Sequence, residues 1–164
     1  MTFKVEPITS KEYHLIQSNL LKGSLVYTNW FSISKATISI KNLGDFYVAK
    51  KSTWKSDFYI MQNDSAVLEF TFNWKGTVQI TSHFEKEIKK NVLKRKGFWN
   101  TDYLLIDENN TEICTIKSNF NWRKFKTSYE INVLESTDSM QDQVLYLSLI
   151  HCTILIRVMA AAAT

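Results

Sequence analysis

Proline, glycine and cysteine are all scarce in this chain. Pro7 is the only proline among 164 residues, and there are four glycines and two cysteines. With no stretch rich in Gly, Ser or Pro to act as a linker, we predict one domain over residues 1–164. A chain of this length can bury a core without cross-links, so we predict that Cys114 and Cys152 are buried free thiols in a reducing compartment.

Motifs that carry catalysis or bind a metal are also missing from the sequence. His14, His83 and His151 are far apart and lack the spacing of metal ligands. His151 and Cys152 are adjacent, so on a helix their side chains diverge by about 100° and make a poor nucleophile–base pair. No phosphate-binding loop, dinucleotide fingerprint or nucleophile elbow is present. We therefore expect a protein that is not an enzyme and takes no metal or cofactor.

The composition favours a soluble globular protein with a mild basic excess. Hydrophobic residues make up 45% of the chain, charged residues 22%, and the net charge is +4. The N-terminus lacks the apolar run of a signal peptide, so we expect a cytoplasmic protein. The basic excess permits contact with an acidic phospholipid surface, which is compatible with peripheral membrane association. The abundance of Lys, Asn and Ile suggests an AT-rich, bacterial genome.

Short strands dominate the middle of the chain, from residue 24 to 133. Runs rich in Val, Ile, Thr and aromatic residues alternate with turn-forming Asn, Asp and Gly, which predicts an antiparallel meander. The predicted strands are 24–33, 36–40, 45–51, 57–62, 66–74, 77–81, 103–107, 112–117 and 125–133.

Two other segments carry different signals. Thr9 and Glu12 form a potential capping box, Tyr13, Ile16 and Leu20 share a helical face, and Gly23 suits a helix end. This pattern predicts a short helix over residues 9–22. Residues 84–98 are compatible with either a helix or an exposed strand pair.

A weak internal repeat contains most of the tryptophans. Trp54-Lys-Ser-Asp-Phe-Tyr-Ile60 resembles Trp99-Asn-Thr-Asp-Tyr-Leu-Leu105, and each copy ends in Phe-Asn-Trp followed by a basic residue, at Trp74 and Trp122. Two uses of one strand–turn–strand unit would place Trp54 and Trp99, and likewise Trp74 and Trp122, at equivalent positions. We expect these aromatic side chains in a barrel wall; a ring of aromatic ligands is the less favoured alternative.

The C-terminal run is apolar on nearly every face of a helix. Ser139 and Asp142 form a capping-box start for a helix over 140–163. Such a helix is buried either in protein or in a bilayer, and about 20 apolar residues are enough to span one. We favour enclosure by the strands, which need an apolar partner, with Leu147, Ile150, Ile154 and Val158 buried and Arg157 at the barrel mouth.

This order of elements resembles the tubby C-terminal-like superfamily, particularly LURP-one-related proteins and phospholipid scramblases. The resemblance covers Ser24 to Ala160 and is clearest from Gln143-Val-Leu-Tyr-Leu-Ser-Leu-Ile150 onward. It implies a closed antiparallel barrel of about twelve strands around the C-terminal helix, whose width of about 10–12 Å fits such a lumen. It also implies a non-enzymatic module at membranes or, on the scramblase side, lipid transport. No stretch matches the phosphoinositide-binding motif of tubby proteins, so no site residue is transferred.

Basic residues cluster between positions 86 and 96, and others, including Lys75, follow the repeated Phe-Asn-Trp units. Cations beside aromatic residues suit an anionic phospholipid surface. The predicted lipid- or polyanion-binding site consists of Lys86, Lys89, Lys90, Lys94, Arg95, Lys96, Trp99, Arg123, Lys124 and Lys126. A lysine-rich, solvated edge strand is the alternative, nucleic acid is a less favoured ligand, and an unidentified protein partner is also compatible.

Overall fold

A computed structural model describes residues 1–29, 32–134 and 139–164. In this part of the chain there are twelve strands and one helix. They are β1 (Thr2–Pro7), β2 (Glu12–Gln17), β3 (Leu20–Asn29), β4 (Ser32–Ile40), β5 (Gly44–Lys50), β6 (Phe58–Gln62), β7 (Ser65–Phe72), β8 (Val78–Ser82), β9 (Lys89–Arg95), β10 (Tyr103–Asp107), β11 (Glu112–Asn121), β12 (Lys126–Val133) and α1 (Met140–Ala162).

The strands form one closed antiparallel barrel around the helix. Each strand pairs with its neighbours in sequence, and β1 pairs with β12 to close the sheet. Alternate residues such as Phe46 and Val48 of β5 point inward and are buried. The predicted mainly β fold, with a twelve-stranded barrel enclosing an apolar C-terminal helix, is confirmed.

The helix begins with the predicted capping box. The Asp142 amide donates to Ser139 Oγ (3.0 Å) and the Ser139 amide donates to Asp142 Oδ2 (3.2 Å). Leu147 and Ile150 are fully buried, as predicted. A helix of 23 residues is about 34 Å long, whereas a tilted strand of eight residues spans about 20 Å of barrel height. The C-terminal part of α1 therefore projects beyond the barrel.

Exposure along α1 follows from this mismatch in length. Ile154 is half-buried and Val158 is 47% exposed, so the predicted burial of Val158 is wrong. Arg157 lies at the barrel mouth as expected, where its Nη1 donates to Thr127 Oγ1 (3.2 Å) and Tyr129 Oη (3.4 Å).

The predicted N-terminal helix over residues 9–22 is wrong. These residues form a loop, β2, a tight turn and the start of β3. Ser18 and Asn19 both have positive φ, as a two-residue hairpin turn requires, and Gln17 pairs with Leu20 across it. Pairing with β1 and β3 overrides the helical spacing of Tyr13, Ile16 and Leu20, because both sides of β2 gain strand partners. Gly23 is not a helix end but an inward-facing position of β3.

Two further segments differ from or refine the predicted strands. The predicted strand 24–33 is divided, since 24–29 belong to β3 and 32–33 to β4, while residues 30–31 lie outside the described residues. The segment 84–98, which allowed helix or strand, contains β9 between two loops.

Connections alternate between the two ends of the barrel because consecutive strands are antiparallel neighbours. The exit end carries loops 8–11, 51–57, 73–77, 96–102 and 122–125, and the C-terminal part of α1 emerges there beside Ser56, which donates to Met159 Sδ. The base end carries loops 18–19, 41–43, 63–64, 83–88 and 108–111, together with the start of α1.

Candidate functional site

Large aromatic side chains stand exposed around the exit end. Their exposure runs from 77% at Trp122 to 96% at Trp74, although an indole would normally be buried. We call this set the aromatic rim: Trp54, Trp74, Phe98, Trp99, Trp122 and Phe125. Phe98 and Trp99 touch edge to face, with ring centroids 5.2 Å apart. A large exposed apolar patch of this kind marks an interaction surface.

The repeat predicted from sequence explains how Trp54 and Trp99 reach the rim. Each lies in a loop closed by the same backbone hydrogen bond: the Lys51 amide donates to the Asp57 carbonyl (3.0 Å) and the Lys96 amide to the Asp102 carbonyl (2.9 Å). These two bonds lie 45 residues apart, as do the two tryptophans. Both indoles extend from the exit end into solvent.

The other two tryptophans of the rim belong to the two Phe-Asn-Trp copies, in which each Trp directly follows an Asn. The Asn73 amide donates to the Thr77 carbonyl (2.8 Å), and Asn121 Oδ1 accepts from the amides of Arg123 (3.0 Å) and Lys124 (3.2 Å). The first turn is closed by the backbone of Asn73, whereas the second is closed by the Asn121 side chain, which accepts from nearby backbone amides. Trp74 and Trp122 therefore occupy turns that follow β7 and β11, which are equivalent places in the repeat.

The expected location of these aromatic residues in the barrel wall is wrong. The wall is lined inside by Phe46, Phe58 and Phe70, whereas the tryptophans of the repeat are in loops and turns. The sequence repeat contained a signal for the true location of these tryptophans. Each repeated Trp is close to a turn-forming Asn or Asp, which a position in the barrel wall does not require. The less favoured alternative, a ring of aromatic ligands, stays a prediction.

The predicted basic site is divided between the two ends of the barrel. Seven residues of β9 span about 20 Å, which separates the start of the basic run from its end. The exit end receives Arg95, Lys96, Trp99, Arg123, Lys124 and Lys126, with Lys94 near it on the outer wall. Lys86, Lys89 and Lys90 lie at the base end, where Lys89 Nζ donates to Glu85 Oε1 (2.8 Å). The two halves of the predicted basic site are therefore neighbours in the sequence but not in the structure.

Charge differs between the two ends. The basic collar, by which we mean five exposed cations in the same loops as the aromatic rim, consists of Lys55, Lys75, Lys96, Arg123 and Lys124. Lys51 is also exposed in loop 51–57 but is paired with Glu69. Asp57, the carboxylate of loop 51–57, is buried and accepts from the Phe72 amide (2.9 Å). The base-end loops carry Asp64, Glu85, Glu87 and Glu108 together with Lys41 and Lys86. The molecule therefore has a positive exit end and a more acidic base end.

The tip of α1 lies within the aromatic rim. After Arg157 the helix continues as Val158, Met159 and three alanines, with no charged side chain in its last turn. Between this tip and the barrel lies an open, mainly apolar groove of about 710 Å³, lined in part by Phe72, Trp74, Ile156 and Met159. The exit end thus combines a central apolar tip, an aromatic rim and a basic collar.

Polar side chains occupy the barrel interior near the exit end. Tyr27 Oη lies 2.9 Å from His151 Nδ1. The ring centroid of Tyr13 lies 6.5 Å from that of Tyr27 and 6.3 Å from that of Tyr129. Burial lowers the pKa of His151 to about 4 and raises the pKa of Tyr129 to about 12. These groups are therefore uncharged at neutral pH.

The two cysteines are buried free thiols, as predicted. Burial raises the pKa of Cys114 to about 12 and also raises the pKa of Cys152, which keeps both protonated and poorly nucleophilic. Among the residues that the structure describes, no three His, Cys, Asp or Glu side chains are grouped to hold a metal ion.

No family model, curated protein or solved structure matches this chain. The functional assignment therefore depends on the shape, composition and charge of the exit end.

Proposed function

We propose that this protein is a non-enzymatic barrel module that binds the surface of anionic phospholipid membranes through its exit end. The observation that supports this proposal best is the coincidence of the aromatic rim, the basic collar and the apolar tip of α1 at one end of the barrel. Trp side chains favour the membrane interface, and each basic residue near an anionic surface contributes about 1 kcal/mol of binding free energy.

The closed barrel determines how the molecule would meet the bilayer. With the exit end against the membrane, the barrel axis stands upright and the more acidic base end points away from the lipid. Helix α1 is long and apolar enough to cross a bilayer, but half of its most apolar window is buried inside the barrel. In this proposal, only the projecting tip of α1 enters the membrane interface, and the rest of the helix remains the core of the barrel.

The proposal includes kinship with the tubby C-terminal-like superfamily and a cytoplasmic, peripherally membrane-associated location. The closed twelve-stranded barrel around an apolar C-terminal helix supports the kinship, because this is the arrangement that the resemblance implies.

Co-sedimentation with vesicles tests the proposal. The wild-type protein should bind phosphatidylserine-containing vesicles, bind phosphatidylcholine vesicles much more weakly, and lose affinity as salt is added. Changing Lys55, Lys75, Lys96 and Lys124 to Gln removes four cations, which should weaken binding about 1,000-fold at about 1 kcal/mol each. A control variant that removes two cations at the base end, Lys41→Gln with Lys86→Gln, should bind like wild type. Equal losses in both variants would contradict the proposed orientation.

A further inference from the structure

A second cavity opens beside loop 51–57, between this loop, β4 and helix α1. Its volume is about 380 Å³, within the range of small-molecule sites. The side chain of His151 forms part of its lining although the residue is only 1% exposed. Polar and basic residues make up about half of the lining: Ser32, Ser34, Lys50, Thr53, Lys55 and Ser56.

His151 lines this cavity and has one ring nitrogen that is not hydrogen-bonded to the described residues. Its Nδ1 is bonded to Tyr27 Oη, whereas Nε2 has no hydrogen bond to any residue of 1–29, 32–134 or 139–164. Tyr27 is buried, and His151 Nδ1 is the one hydrogen-bond partner that its hydroxyl has within those ranges. A buried hydroxyl hydrogen without an acceptor is costly, so Tyr27 donates to Nδ1 and the neutral ring carries its proton on Nε2.

Hydrogen-bond donors therefore converge on the cavity from several directions. His151, Lys50 and Lys55 all belong to the lining, and each carries N–H donors. Among the described residues, no carboxylate lines this cavity. Apolar side chains, including Phe58 and Leu155, complete the lining. Several donors, two positive charges and no acceptor carboxylate form a site complementary to a doubly charged oxyanion attached to a small organic group.

We propose that the His151 cavity binds the phosphate of a phosphomonoester, either a soluble ester or the headgroup of a phosphomonoester lipid such as phosphatidic acid. Lys50 and Lys55 neutralise the phosphate, and His151 Nε2 and the serine hydroxyls donate to the ligand. The organic part packs against Phe58 and Leu155. The soluble-ester form is independent of the proposed membrane function, and the lipid form rests on it because the cavity opens at the exit end.

NMR of the histidine rings tests the proposal directly. Phenyl phosphate, the soluble probe, should shift the His151 imidazole signals in a saturable way, with half-saturation near about 1 mM. His14 and His83 lie outside the cavity lining and serve as internal references, so their signals should not move. Phosphatidic acid in phosphatidylcholine nanodiscs is the lipid probe. A His151 shift with phenyl phosphate assigns a soluble ester, and a shift with phosphatidic acid alone assigns the lipid headgroup.

Variants at the cavity wall separate specific binding from general attraction. Lys50→Gln with Ser34→Ala should weaken phenyl phosphate binding at His151 by about 30-fold or more, since one charge-assisted hydrogen bond and one neutral bond are lost. Lys75→Gln with Lys124→Gln removes exit-end charge outside this cavity and should leave the response to phenyl phosphate unchanged. The proposal is overturned if neither probe moves His151 at about 10 mM, or if His14 and His83 move in parallel with it. Phosphatidylserine-vesicle binding by the Lys50 and Ser34 variant tests the membrane proposal separately and should persist.

Discussion

Gly23 of β3 lies directly against Leu147 of α1. A Cβ atom at position 23 would lie 3.3 Å from Leu147 Cδ1, 2.5 Å from Ile40 Cδ1 and 2.7 Å from the Ser39 carbonyl oxygen. The absence of a side chain at this position is what lets the helix and the β3–β4 wall approach each other. The relationship links the barrel wall to the helix it encloses.

Gly23→Ala should therefore destabilise the protein by about 1–3 kcal/mol, because the added methyl group would clash with Ser39 and Ile40 of β4 and would also be tight against Leu147 of the helix. Urea unfolding followed by circular dichroism measures the change. Gly97→Ala is the matched control: its φ is not in the left-handed region, and the nearest atom to the added Cβ is Asn100 Cβ at 3.9 Å. Equal stability of the two variants would show that the helix does not pack on Gly23.

Acid should destabilise the barrel through His151. The pKa of this residue falls from 6.5 to about 4 on folding, so between these values the unfolded chain binds a proton that the folded chain does not. Stability attributable to this group is unchanged above pH 6.5 and decreases as pH falls toward 4, by about 3 kcal/mol in all. Urea unfolding at several pH values measures the slope. In His151→Gln this part of the slope should disappear, and an unaltered slope would rule out His151 as its source.

Ser139→Ala should lower the unfolding free energy by about 1 kcal/mol, because the Asp142 amide loses its capping acceptor. Ser139→Asn should restore most of this loss, since Asn is an equally good N-cap residue. Thermal unfolding of the three proteins gives the comparison. No loss in the Ala variant would indicate that barrel contacts alone hold the start of the helix.

Truncation should separate the enclosed and projecting parts of α1. Deleting residues 140–164 removes the core partner of the twelve strands, so we expect the chain to lose its cooperative unfolding transition. Deleting residues 160–164 removes only exposed positions and should leave the transition in place while weakening vesicle binding. A folded, soluble barrel without residues 140–164 would contradict the view that α1 is the core.

Much of the barrel could be predicted because its signals are local. The alternation in segments such as Ala36–Ile40 and the capping box at Ser139 and Asp142 each depend on a few neighbouring residues. The error at residues 9–22 has a non-local cause: the strand partners of β2 are β1 and β3, and β1 was not among the predicted strands.

The candidate site was predicted less well because it depends on which end each loop occupies. The basic run from Lys86 to Lys96 is continuous in sequence, yet β9 carries its two halves to opposite ends of the barrel. Lys55 and Lys75, by contrast, are far from this run but share the exit end with Lys96 and Arg123. The order of the strands in the closed sheet is needed to assign each loop to an end of the barrel. The Trp repeat, by contrast, is visible in the sequence, and its four tryptophans lie at the exit end.

Depth measurements on the bound protein test the orientation most directly. A nitroxide label attached to Lys75→Cys reports on the exit end, and one attached to Glu108→Cys reports on the base end. On addition of phosphatidylserine-containing vesicles, the label at position 75 should become accessible to oxygen and protected from a water-soluble nickel complex, as it enters the interface. The label at position 108 should stay exposed to the nickel complex. Protection at position 108, or a bound protein whose label at 75 remains fully in water, would contradict membrane binding through the aromatic rim.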